Sequence, residues 1–89
     1  MPRIDKELII RNPQGLHARP AAMFVQIASK YNAHVNIRKG NERVNGKSII
    51  GLLTLGMQFN TKIVVEVDGE DALEMVMELE KLLLSEDIR

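Results

Sequence analysis

The chain has 89 residues, 12 basic and 12 acidic side chains and 45% hydrophobic content, which suits one globular domain over 1–89 with no room for a second core. Lacking a basic stripe and stacking aromatics beyond Phe24, Tyr31 and Phe59, any apolar run of membrane-span length, and a signal-peptide core in MPRIDKELII, it is expected to be cytoplasmic and to bind neither nucleic acid nor the membrane interior. The absence of cysteine excludes disulfides and thiolate zinc, and two lone histidines make a poor metal site, so no metal or cofactor is implied.

Residues 7–11 are rich in β-formers, with Leu8 and Ile10 on one face, and Asn12-Pro13-Gln14-Gly15 closes them with turn chemistry. Residues 18–30, rich in Ala, Met, Val and Ile, predict a helix. His34-Val35-Asn36-Ile37-Arg38 alternates as a strand, with Val35 and Ile37 inward and His34 on the wet face. Lys39-Gly40-Asn41 turns the chain into a short strand around Arg43-Val44, and Asn45-Gly46 turns it again before a short helix over 48–55. The clearest strand is 61–67, with Ile63, Val65 and Val67 on one side and Lys62 and Glu66 on the other. After Asp68-Gly69 a last helix near 71–85 sets Asp71, Glu74, Glu78, Lys81 and Ser85 against an apolar face of Ala72, Val76, Leu79 and Leu83. The order β-α-β-β-α-β-α, with one wet sheet face, predicts an α+β fold: a mainly antiparallel sheet of four strands with all three helices on the other face.

The segment that points to chemistry is Gly15-Leu16-His17-Ala18-Arg19-Pro20-Ala21, where a loop becomes a helix. The first amides of a helix have no intrahelical partner and carry partial positive charge, so they attract anions. An imidazole is a competent nucleophile near neutral pH, and a phosphoryl group on His17 would face these amides and the Arg19 guanidinium. Gly15 permits a tight approach, Ala18 adds little bulk, and Pro20 lacks an amide only where none is needed. The helix begins either at Ala18 or at Pro20 with Arg19 as its cap, since a residue before proline avoids the α region.

The string Asn12-Pro13-Gln14-Gly15-Leu16-His17-Ala18-Arg19-Pro20-Ala21 resembles the active-site signature of HPr, the histidine phosphocarrier of the bacterial phosphoenolpyruvate-dependent phosphotransferase system. Lys47-Ser48-Ile49-Ile50-Gly51-Leu52-Leu53-Thr54-Leu55-Gly56 is similar to that family's regulatory-serine segment, at the usual separation. The resemblance spans essentially the whole chain. It implies an open-faced β-sandwich, phosphorylation of His17 on Nδ1, and Arg19 stabilising the phosphate. It further implies that the carrier is not itself an enzyme: enzyme I supplies the phosphoryl group and sugar-specific A components receive it. Met57-Gln58-Phe59-Asn60 is more idiosyncratic, since the family often has glycine near Asn60, although Asn tolerates a left-handed turn.

Ser48 reads as the N-cap of the short helix. The resemblance adds a regulatory role, with phosphorylation by a serine kinase and removal by a phosphorylase. That helix is apolar nearly all round, so Leu52 and Leu55 are assigned to the core. Ile49, Ile50, Leu53 and Met57, with Met23 and Gln26, are assigned to an exposed partner-binding patch near His17. A monomer is the default. Two alternatives stay open: a carrier in a nitrogen-related or regulatory branch that still uses His17, and a small ligand-binding regulatory domain.

Overall fold

The computed structural model describes residues 2–85. Its elements run β1 (Arg3–Ile9), α1 (Ala18–Ala28), β2 (His34–Lys39), β3 (Glu42–Asn45), α2 (Ile49–Leu55), β4 (Lys62–Asp68) and α3 (Ala72–Leu83), in the order the sequence predicts. The strands form one sheet, β1-β4-β2-β3, and every pairing is antiparallel. Alternation decides which face is dry: Leu8, Val35, Ile37, Ile63, Val65 and Val67 bury one face together with Ala21, Phe24, Leu52, Met75 and Leu79 from the helices.

β1 begins four residues earlier than its own composition predicts. Arg3, Asp5 and Lys6 are poor strand formers, but they pair with Asp68, Glu66 and Val65 of β4, so tertiary pairing overrides local preference. Lys6 lies on the helix-covered side and reaches Glu80 of α3 at 3.6 Å. The helices end slightly inside their predicted spans, with Ser29 and Leu84 as C-caps of α1 and α3.

On the open face Glu66 is only 8% exposed. Arg43 donates to Oε1 at 2.8 Å, Arg38 to Oε2 at 3.4 Å, and Arg3 lies 3.7 Å from Oε2. One carboxylate thus gathers arginines from β1, β2 and β3 around the central strand.

Four hydrogen bonds join the loop after α1 to Glu78 of α3 and to its N-cap Asp71. The Tyr31 hydroxyl donates to Glu78 Oε1 at 2.5 Å and Lys30 to Oε2 at 2.6 Å. The Asp71 carboxylate accepts the amides of Asn32 and Ala33, both at 2.9 Å. The Lys30 and Tyr31 donors hold the Glu78 carboxyl below its ordinary range, and the two amides do the same for Asp71.

Candidate functional site

The loop before α1 is built by Asn12. Its side-chain oxygen accepts the Gln14 amide at 2.9 Å and its carbonyl accepts the Gly15 amide at 2.8 Å, an Asx-type turn. Gly15 then takes φ +71°, and a Cβ there would lie 2.7 Å from the Met57 carbonyl oxygen and 2.9 Å from Gln58 Cα. Glycine is needed on both counts. Leu16 donates its amide to the same Met57 carbonyl at 2.7 Å and buries its side chain in the core.

His17 is held between that anchor and the helix. It is the N-cap of α1, with extended backbone at φ −92° and ψ −166°, and its carbonyl accepts the Ala21 amide at 3.0 Å. The helix therefore starts at Ala18, which settles the two alternatives left by Pro20. Pro20 occupies the third helical position, so Ala18 and Arg19 carry the amides at this end that lack an intrahelical acceptor. No side chain caps them, and the first turn contains no acidic residue. An incoming anion thus meets no built-in competitor. The ring is half-buried, and its Nε2 is enclosed without a hydrogen bond among the described residues. Arg19 is exposed at the same helix end.

Ser48 caps α2, its hydroxyl accepting the Gly51 amide at 3.0 Å. The opposite end of α2 is closed by Gly56 at φ +70°, and Lys39 reaches across from β2 to donate to the carbonyls of Leu55 (3.1 Å) and Gly56 (2.9 Å). Leu52 and Leu55 are buried, while Ile49, Ile50 and Leu53 are exposed, Ile50 at 75%. Met23 and Gln26 are exposed on α1, which packs against α2.

Met57 departs from this patch: it is 2% exposed and belongs to the core. Its assignment to the surface counted it with the apolar overflow of the short helix, but α2 ends at Leu55, as the sequence predicts, and Met57 lies beyond it. The left-handed Gly56 redirects the chain, turning the Met57 side chain inward and its carbonyl toward Leu16.

The sequence places Asn12 in a turn without giving its side-chain oxygen a part in the site, and it gives no part to the Met57 carbonyl. For Asn12 a signal was present, since an Asn three residues before Gly is the pattern of a side-chain-stabilised turn. For Met57 there was none, because its contribution is a backbone oxygen.

The family model described as PTS HPr component phosphorylation site matches residues 4–85. The HPr-like protein Crh of Bacillus subtilis (strain 168) is 39% identical over 79 residues, 89% of each chain. A phosphocarrier protein HPr from Bacillus anthracis str. Ames superposes with a TM-score of 0.87 at 34% identity, over 91% of this chain and 96% of that one. HPr from Thermoanaerobacter tengcongensis gives 0.88 at 36% identity, over 96% and 99%. The open-faced sheet, the loop that presents His17 and these matches together place the chain in the HPr family of phosphocarrier proteins of the phosphotransferase system.

Proposed function

We propose that this chain accepts a phosphoryl group from enzyme I, derived from phosphoenolpyruvate, on Nδ1 of His17 and passes it to sugar-specific A components. The observation that carries this reading is the placement of a half-buried imidazole, with Nε2 enclosed, at an uncapped helix start whose first turn holds no acidic residue. The Nδ1 lone pair attacks phosphorus, the bond from phosphorus to the donor breaks, and its electron pair leaves with the donor. The phosphoryl oxygens then meet the amides of Ala18 and Arg19 and the Arg19 guanidinium. The chain supplies the nucleophile and its setting, and its partners supply the catalysis. The apolar patch of Met23, Ile49, Ile50 and Leu53, with Gln26 at its edge, is where these partners dock.

The test is incubation with enzyme I and labelled phosphoenolpyruvate, followed by mapping of acid-labile phosphate. Label should appear on His17, be absent from His17→Ala, and arrive more slowly on Arg19→Lys, which keeps charge but loses the planar fork. Undiminished labelling of His17→Ala would overturn the reading.

Similarity to Crh, together with the Ser48 hydroxyl lying beside exposed Ile49 and Ile50, supports a second, regulatory role at Ser48. A serine kinase and phosphorylase would then switch docking at the same patch.

A further inference from the structure

The outer face of α3 plays no part in the phosphoryl site. Its inner face is buried through Ala72, Met75, Val76, Leu79, Leu82 and Leu83, yet on the opposite side Leu73, Met77 and Leu84 are 56%, 60% and 42% exposed. Leu84 still donates its amide to the Glu80 carbonyl at 2.9 Å, so helical geometry extends to it and the three side chains form one stripe. Along one flank of this stripe run Glu74 and Lys81, two helical turns apart. Among the described residues neither makes an ion pair, whereas Glu78 is held by Lys30 and Glu80 by Lys6. A shallow cavity of about 580 Å³ follows the flank, with the Glu78 and Glu80 carboxylates as well as Tyr31, Met77 and Leu84 on its walls.

We infer that two copies of this chain associate through an antiparallel, two-fold pairing of their α3 helices. An axis level with the link between Met77 and Glu78 sets the two Met77 side chains within one residue's rise of each other and Leu73 of each copy within two residues' rise, about 3 Å, of Leu84 of the other. In antiparallel helices the same flank faces itself, so that axis also sets Glu74 of each copy beside Lys81 of the other. One register thus satisfies the apolar stripe and both unpaired charges, as an isologous interface requires. α1 packs against both α2 and α3, so the pairing leaves His17, Ser48 and Ile50 open. The patch is small beside the roughly 800 Å² per partner of a standard interface, so the pair forms weakly and exchanges rapidly.

The test is sedimentation equilibrium and amide NMR of the full chain from tens of micromolar to a few millimolar. The mean mass should rise toward that of a dimer, with shifts concentrated at Leu73, Met77, Lys81 and Leu84. Met77→Glu should abolish both changes without altering the thermal melt or phosphoryl acceptance, and Leu73→Gln should weaken them. Glu74→Lys and Lys81→Glu should each weaken association several-fold, and the double exchange should restore it. A chain that stays monomeric throughout, a dimer indifferent to Met77→Glu (strand exchange included), or a double exchange no better than the singles would overturn the inference.

Discussion

Leu16 donates its amide to the carbonyl of Met57 at 2.7 Å, so the residue before His17 is fastened to the segment that leaves α2. The loop carrying the nucleophile and the helix carrying Ser48 are therefore parts of one backbone construction. Gly15 sits inside it, with no room for a side chain against Met57 and Gln58.

Gly15→Ala tests this construction. The substitution forces a methyl group against two backbone atoms and leaves alanine at φ +71°, and neither can be relieved by a side-chain rotation. A loss of about 1–3 kcal/mol in urea unfolding is expected. Transfer to His17 should fall as well, because relief requires the loop to leave Met57. Unchanged stability and transfer would show that the loop is not held as described.

The docking patch is tested by two substitutions that looked alike in sequence. Leu53 is 41% exposed, so Leu53→Glu should alter stability by only about 0.5 kcal/mol while weakening enzyme I binding. Met57 is 2% exposed, and Met57→Glu should cost about 3 kcal/mol or more, because a charge enters the core without a partner. Titration with enzyme I and urea melts separate the two. Equal binding by Leu53→Glu, or a fully stable Met57→Glu, would contradict the placement.

That contrast marks how far the sequence carries the structure. Alternation at Val35 and Ile37 and at Ile63, Val65 and Val67 gave the strands, the periodicity of Ala72, Val76, Leu79 and Leu83 gave α3, and the string around His17 gave the helix start. These signals are local. Met57 needed the turn at Gly56, and the burial of Glu66 needed arginines from three other strands. The exposed stripe of α3 escaped notice because Leu73, Met77 and Leu84 look like core residues until the sheet has chosen the opposite face. What depends on distant parts of the chain was not legible.

Acid stability follows from Asp71 and Glu78. Both carboxyls are held below their ordinary range by donors that exist only in the fold: Asn32 and Ala33 amides for Asp71, Lys30 and Tyr31 for Glu78. A carboxyl with a depressed folded value binds fewer protons folded than unfolded. Its stabilisation is therefore present above the ordinary carboxylate range and is lost as pH falls through the depressed value. Tyr31 gives the mirror case: its bond to Glu78 raises the phenol, so that contribution is lost as pH rises through the raised value. Urea midpoints should decline below about pH 4, and Asp71→Asn with Glu78→Gln should flatten that decline. An acid limb of unchanged steepness in the double variant would exclude both residues as its source.

At Ser48 two effects compete. The hydroxyl accepts the Gly51 amide at 3.0 Å, and Ser48→Ala should lose about 0.5–2 kcal/mol of stability with that cap. Ser48→Asp should keep most of it, since aspartate caps well and its charge suits a helix start. Docking reverses the order. The added charge lies beside Ile49 and Ile50, which are 41% and 75% exposed, within the patch a partner would cover. Burying a poorly paired charge costs several kcal/mol, against a helix-end gain of about 0.3–1 kcal/mol, so the docking penalty dominates. Ser48→Asp should thus melt near the parent but accept phosphate from enzyme I more slowly, whereas Ser48→Ala should melt lower and accept phosphate at the parental rate. A phosphoserine, with nearly twice the charge of aspartate, should exaggerate the first pattern. Melts and initial rates measured on the same preparations decide between the readings: if the two variants accept phosphate equally fast, Ser48 is a cap and nothing more.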